Sequence, residues 1–190
     1  MPRPRTHDDT VRTQLLDAAS EAIAAGGSAA LSLRSVASDA GTTTAAVYTL
    51  FGSRDALLRA VIEEGFRRFA AHLAAVPRTD EPFTDLLALG MAYRANALEN
   101  PHFYRVMFSP DSRKDLEPRG VENPTFGVLR DAVVRATGAP ADAAESMAVH
   151  LWALAHGMVS LELAGMLPGD PAAREQAYAE TLRAARKSLG

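Results

Sequence analysis

The sequence predicts an all-α protein: an N-terminal three-helix unit built on a helix-turn-helix, then a larger helical bundle, about nine helices in all. Three observations predict it. Apolar residues recur at three- and four-residue spacing, and nowhere does the chain alternate polar and apolar as a half-buried strand would. Gly and Pro punctuate the periodic stretches, at Gly26-Gly27, Pro77, Asn100-Pro101, Ser109-Pro110, Gly138-Ala139-Pro140 and Pro168-Gly169. Finally, Ser32 to Leu58 carries caps, a small residue and a turn glycine at the spacing of two short crossing helices.

The first helix is expected from about Thr10 to Ala25, with Val11, Leu15, Ala19, Ala22 and Ile23 forming its apolar stripe. It supports the helix-turn-helix, because two short helices cannot bury a core alone. The PRPR run ahead of it is too rich in proline to fold alone and is expected to be mobile.

Each position in the helix-turn-helix has a steric reason. Ala37 is small enough for a second helix to cross the first, and Gly41 adopts a left-handed turn without a Cβ penalty. Val47 points back between the helices. Leu33, Val36 and Ala40 share one face of the first helix, and Val47, Leu50 and Phe51 one face of the second. Ser32, Thr43 and Ser53 are the expected N-caps, although Thr42 to Thr44 allow the middle cap to slip by one residue.

The run GTTTAAVYTLFGSRDALL, Gly41 to Leu58, resembles the DNA-binding segment of TetR-type transcriptional regulators. The glycine, the Ser or Thr cap, Tyr48, Phe51, and then Ser53 with a basic residue and Leu57-Leu58 carry the likeness, which reaches back through the first helix and covers about a third of the chain. The family often has an aromatic residue or histidine followed by histidine between the tyrosine and the phenylalanine. Thr49 and Leu50 stand there, so a contact made by that histidine does not carry over.

The resemblance implies a DNA-binding set of Ser32, Arg34, Thr42, Thr43, Thr44, Ala45, Tyr48, Thr49 and Arg54. Thr43, Thr44 and Ala45 would open a recognition helix in the major groove, while Tyr48 and Arg54 would bind phosphate, positioning without specifying. Arg34 is the expected base contact, worth about 1–3 kcal/mol of discrimination if bidentate to guanine. Arg3 and Arg5 either reach an adjacent minor groove or form a solubilising tail.

Charge runs against this reading. The net charge is −3 and the pI near 5.9. Within residues 1–60, Arg3, Arg5, Arg12, Arg34, Arg54 and Arg59 are balanced by Asp8, Asp9, Asp17, Glu21, Asp39 and Asp55, so any positive surface must be local.

A long fourth helix, from Arg54 to about Val76, carries Leu57, Leu58, Val61, Ile62, Phe66, Phe69 and Leu73 and is the natural mechanical link to the larger bundle. Further helices are expected at about Pro82 to Glu99, Pro101 to Phe108, Asn123 to Thr137, Asp142 to Met166 and Pro171 to Leu189, with a polar loop from Asp111 to Glu122. The domains are therefore expected as 1–53, DNA-binding with an N-terminal arm, and 54–190, effector-binding and dimerising.

The stretch LWALAHGMVSLELAGML, Leu151 to Leu167, is apolar nearly all round, as in a helix buried on several sides or against a partner. Trp152 and His156 share a face, and Gly157 permits close approach. This pattern, with NPHFYRVMF, resembles the Trp-His-Gly (WHG) subfamily of TetR-type effector domains. Aromatic and Met residues at helical spacing ordinarily build cores, yet a regulator's cavity is lined by the same side chains. The expected ligand-binding set is Phe69, Met91, Arg94, Phe103, Tyr104, Met107, Trp152 and His156.

Enzyme signatures are missing: there is no GxSxG turn, Gly-rich phosphate loop or HExxH helix, and the histidines include no i, i+4 pair. No catalytic residue, metal or cofactor is expected. There are no cysteines, no apolar run of membrane length, and no apolar stretch in MPRPRTHDDT, which leads to an expected cytoplasmic protein without membrane contact.

The resulting expectation is a homodimeric one-component regulator, a repressor released by a small apolar effector. The resemblance places the dimer contact on the last two long helices, Asp142 to Met166 and Pro171 to Leu189. Two-fold symmetry would set recognition helices about 34–36 Å apart on a near-palindromic double-stranded operator. The alternatives are an α-helical small-molecule binder or enzyme with a vestigial helix-turn-helix, and a module that meets a different protein.

Overall fold

Nine α-helices and no strand make up the described residues: α1 (Arg5–Gly26), α2 (Leu33–Asp39), α3 (Thr44–Phe51), α4 (Arg54–Ala74), α5 (Pro82–Glu99), α6 (Pro101–Met107), α7 (Pro124–Thr137), α8 (Ala141–Leu163) and α9 (Pro171–Ala185). A short 3-10 turn, Ser28–Ala30, joins α1 to α2. The computed structural model describes the backbone of residues 5–109 and 123–186, and side chains from residue 8 onward within those ranges. The expected loop from Asp111 to Glu122 and the arm residue Arg3 lie outside it, while Arg5 is the first residue of α1.

Helix α1 starts well before Thr10, where the periodicity predicted it. Its first turns, Arg5 to Asp9, contain no apolar residue, so no apolar stripe marks them, and Asp8 is favourable beside the N-terminal end of the helix dipole. Helix α8 stops at Leu163, short of Met166. The chain turns at Gly165 (φ 70°), whose N–H donates to Glu162 O while Met166 N–H donates to Leu161 O, both at 3.0 Å. These are the two bonds of a Schellman motif, which needs a left-handed residue.

The same motif ends α2. Gly41 (φ 63°) donates its N–H to Ser38 O at 3.0 Å, and Thr42 N–H donates to Ala37 O at 2.8 Å. A Cβ built on Gly41 meets nothing within 4 Å, so the cost of a side chain there is conformational alone. Gly41→Ala is expected to lower stability by about 1–2 kcal/mol, read as a lower urea midpoint at unchanged slope.

The described residues fall into two compact units, 5–67 with 102–109, and 68–101 with 123–186. The first closes on one apolar core: Leu15, Leu16, Ala19 and Ile23 of α1, Val36 and Ala37 of α2, Val47 of α3, Leu57, Val61 and Ile62 of α4, and Phe103 and Val106 of α6. Contact between α4 and α6 is close at Gly65, where a Cβ would sit 2.7 Å from Met107 Cγ and Sδ.

In the second unit, α5, α7, α8 and α9 pack together, with Phe126, Val133, Ala144 and Ala148 forming the buried seam of α7 and α8. Tyr178 of α9 is buried and donates its hydroxyl to Gly90 O at 2.9 Å. α5 and α9 approach closely at Gly90, where a Cβ would lie 2.5 Å from Leu182 Cδ1 and that side chain would have to move.

Asp85, buried in the first turn of α5, is paired with Arg135 of α7 and accepts from Thr79 N–H at 2.8 Å and Thr79 Oγ1 at 2.7 Å. The Arg135 hydrogen bond, then those from Thr79, pull its carboxyl down to about 2. A folded pKa below the unfolded one gives stability that is complete above the ordinary carboxylate range and lost as pH falls towards 2. The urea midpoint of the wild type is therefore expected to fall between about pH 4 and pH 2 more steeply than that of Asp85→Asn, which starts lower and lacks this titration.

Candidate nucleic-acid interface

Helices α2 and α3 cross where Ala37 and Val47 meet the core, 2% and 0% exposed, so no larger side chain separates the two backbones. All three expected caps are formed. Ser32 Oγ accepts from Ser35 N–H at 3.4 Å, Thr43 Oγ1 from Ala46 N–H at 3.2 Å and Ser53 Oγ from Ala56 N–H at 3.1 Å. The Thr42 to Thr44 ambiguity is resolved in favour of Thr43, whose extended backbone lets α3 begin at Thr44.

Burying Val47 turns the opposite side of α3 outward. Ala45, Tyr48 and Thr49 are exposed, Thr44 is half-buried, and Tyr48 at 55% is unusually open for an aromatic side chain. Ser32 and Arg34 are exposed at the start of α2, and Thr42 is half-buried in the turn. Thr49 Oγ1 donates back to Ala45 O at 2.9 Å, which turns its hydroxyl onto its own helix.

Arg54 is engaged inside the unit. Its Nε donates to Leu31 O at 3.0 Å, one terminal nitrogen bonds Ser28 O, and the other meets Asp55 Oδ1 at 3.4 Å. Sequence reasoning also missed Arg12 of α1, whose guanidinium lies 5.3 Å from the Phe51 ring centroid at the end of α3. Neither engagement had a sequence signal, because the partners are backbone carbonyls and a ring distant in the chain.

The eight expected ligand residues do not form one cluster. Phe69, Trp152 and His156 are joined through a residue outside that set, Tyr93. Its ring meets Phe69 edge-on at 5.2 Å, and its hydroxyl lies 2.9 Å from His156 Nδ1. His156 in turn meets Trp152 edge-on at 6.3 Å, and Trp152 meets Phe126 edge-on at 5.8 Å. Burial pushes the His156 pKa down, favouring a neutral imidazole for the Tyr93 hydroxyl.

Met91 faces the other way, into a shallow groove between α5 and α9 with Leu87, Ala172, Glu175 and Ala179. Arg94 is locked in a buried ion pair with Glu162. Phe103, Tyr104 and Met107 belong to the first unit, all buried, with Phe103 in its core and Tyr104 edge-on to Phe108 at 4.9 Å. The pairing of residue 93 with residue 156 depends on how α5 and α8 meet, which no local pattern records. Among the described residues no group of His, Cys, Asp or Glu is placed to hold a metal ion, and no helix is long and apolar enough to cross a membrane.

Comparison with known proteins agrees with this architecture. Residues 15–61 match the profile described as bacterial regulatory proteins, tetR family, and residues 86–185 that of a tetracyclin repressor-like C-terminal domain. No curated protein matches. Among solved structures, a TetR-like transcriptional regulator from Rhodococcus sp. RHA1 aligns at 18% identity over 99% of this chain and 98% of its own, with a TM-score of 0.74. A TetR family transcription regulator from Marinobacter aquaeolei VT8 aligns at 21% identity over 95% and 98%, also with a TM-score of 0.74. A Rhodococcus sp. RHA1 protein of unknown function is more similar in sequence, 28% identical over 94% and 93%, with a TM-score of 0.67.

Proposed function

The chain belongs to the TetR family of bacterial regulatory proteins, and from that membership we propose that it is a dimeric one-component repressor, released from a near-palindromic operator by a small apolar effector. The observation that carries the DNA-reading role is the outer face of α3. Ala45 and Tyr48 point outward, beside a half-buried Thr44, from a helix capped by Thr43 and anchored by the fully buried Val47. Short hydroxyl and methyl side chains at such a helix start suit contact with base edges and thymine methyls. Arg34 and Ser32 at the start of α2 complete the surface, and Thr42 and Thr49 flank it.

In functional terms residues 1–53 act as the DNA-binding domain and 54–190 as the effector-binding and dimerisation domain. Dimerisation through α8 and α9 is supported by an outward stripe on α8. Val149 and Leu161 are 36% and 42% exposed, Ala153 is exposed between them, and Gly157 has open space where a Cβ would be. Water-facing apolar residues at four-residue spacing are what a partner helix would cover. The aromatic run Phe69, Tyr93, His156, Trp152, Phe126 supports an effector of apolar character, and the Trp152, His156-Gly157 pattern supports an affinity with the Trp-His-Gly subfamily. An effector acts only through unequal affinity for the DNA-binding and released states.

Selection of bound sites from a random duplex pool at two salt concentrations, with sedimentation of the free protein, tests the reading. The expected outcome is a homodimer that enriches a near-palindrome and binds it less tightly at higher salt. A monomer that enriches no sequence at low salt would sink it.

A further inference from the structure

On that reading Arg54, at the first position of α4, has the charge and the location of a phosphate contact, but its half-exposed side chain is engaged with backbone carbonyls of its own unit. Nε donates to Leu31 O at 3.0 Å, and a terminal nitrogen to Ser28 O. Those carbonyls belong to the connection between α1 and α2, and Leu31 immediately precedes Ser32, the cap of α2. The remaining terminal nitrogen faces Asp55 Oδ1 at 3.4 Å in a solvent-exposed pair. A guanidinium serves two carbonyls through donors fixed in a planar fork; a lysine ammonium has three donors, but they radiate from one nitrogen on a flexible stem and do not reproduce that fixed spacing.

We propose that Arg54 is a positioning residue for DNA recognition: by holding the carbonyls of Ser28 and Leu31 it fixes the entry of α2 against α4, and it does not carry a phosphate. The short α2 has seven residues and two buried side chains, Val36 and Ala37, so its own burial sets its orientation weakly. Tying the residue before its cap to the start of a 21-residue helix supplies the missing constraint. Arg34, next but one after Ser32, inherits that constraint, which makes Arg54 a determinant of specificity at a distance.

The test compares wild type, Arg54→Ala and Arg54→Lys for binding to the selected operator and to a scrambled duplex across a salt series, with thermal unfolding in parallel. Positioning predicts that both variants lose about tenfold on the operator and little on the scrambled duplex, so the specificity ratio falls while the salt slope is unchanged. A phosphate contact predicts the reverse. Arg54→Lys would bind as wild type does, and Arg54→Ala would weaken both duplexes alike and lower the salt slope by about 1, which overturns the proposal. A purely structural role would lower the unfolding temperature and leave the ratio intact, and that also overturns it. Should Arg54→Ala fail to fold, Arg54→Lys decides alone, since it keeps the charge and gives up the fork. Absence of operator binding by the wild type is a separate failure, of the regulator reading itself.

Discussion

Replacing Ala45 by glutamate is expected to abolish operator binding while leaving the helix-turn-helix slightly more stable. The two effects have opposite signs because one substitution meets two fields. Ala45 is the second residue of α3 and exposed, so a carboxylate there clashes with nothing and sits in the first turn, where the helix dipole favours negative charge by about 0.3–1 kcal/mol. On the proposed reading surface the same carboxylate would face base edges and two rows of phosphates. Like charges brought together at an interface cost several kcal/mol, and each 1.4 kcal/mol is about tenfold in affinity, so a loss of at least about 100-fold is expected. Fluorescence anisotropy on the operator and thermal unfolding of the free protein read the two signs separately. Retained binding would show that the outer face of α3 is not the reading surface. Loss of binding together with loss of fold would show that Ala45 does not face solvent.

Arg94→Met is expected to be the most destabilising change in the second unit. Arg94 Nε and one terminal nitrogen donate to the two carboxylate oxygens of Glu162, both at 2.8 Å, and each side chain is 6% exposed. The third nitrogen meets Glu175 Oε2 at 3.2 Å, and the guanidinium lies 5.9 Å from the Tyr178 ring centroid. The Glu162 hydrogen bond is the main reason the Arg94 pKa is raised, so the guanidinium is charged at any pH at which the fold survives. Removing it strands a carboxylate without a counter-charge, which costs about 3–5 kcal/mol. Arg94→Met combined with Glu162→Leu should recover much of that loss, because the double change leaves no buried charge. Urea unfolding of the two singles and the double closes the cycle. A single-variant loss under about 1 kcal/mol would mean that water reaches Glu162 and that the pair is not dry. The same pair joins α5 to α8 one residue from Tyr93, the partner of His156.

The helix-turn-helix was legible in the sequence because its determinants are local. A cap needs an oxygen three residues before the amide it serves, and Ser32, Thr43 and Ser53 supply it within one turn. A left-handed turn needs a glycine, and Gly41 stands there with φ 63°. Val47 faces the core because helical periodicity puts it there once Tyr48 and Thr49 face water. Helix ends that periodicity misplaced, at Arg5 and Leu163, were governed by a first turn without apolar residues and by Gly165, neither of which carries an apolar stripe.

Sequence alone therefore determined the class of fold, the helices with their caps, the turn at Gly41 and the outward face of α3, all properties set by neighbours a few residues away. Only the tertiary structure decided what the charged and aromatic side chains do. It turned Arg54 on to carbonyls more than twenty positions earlier in the chain, paired Arg94 with Glu162, gave His156 to Tyr93, and put Phe103 in the core of the first unit and Trp152 in the second. The physical reason is reach. A long polar side chain satisfies its donors with whatever the packing of distant helices brings within about 3 Å, and one chain position carries no record of which helix that will be.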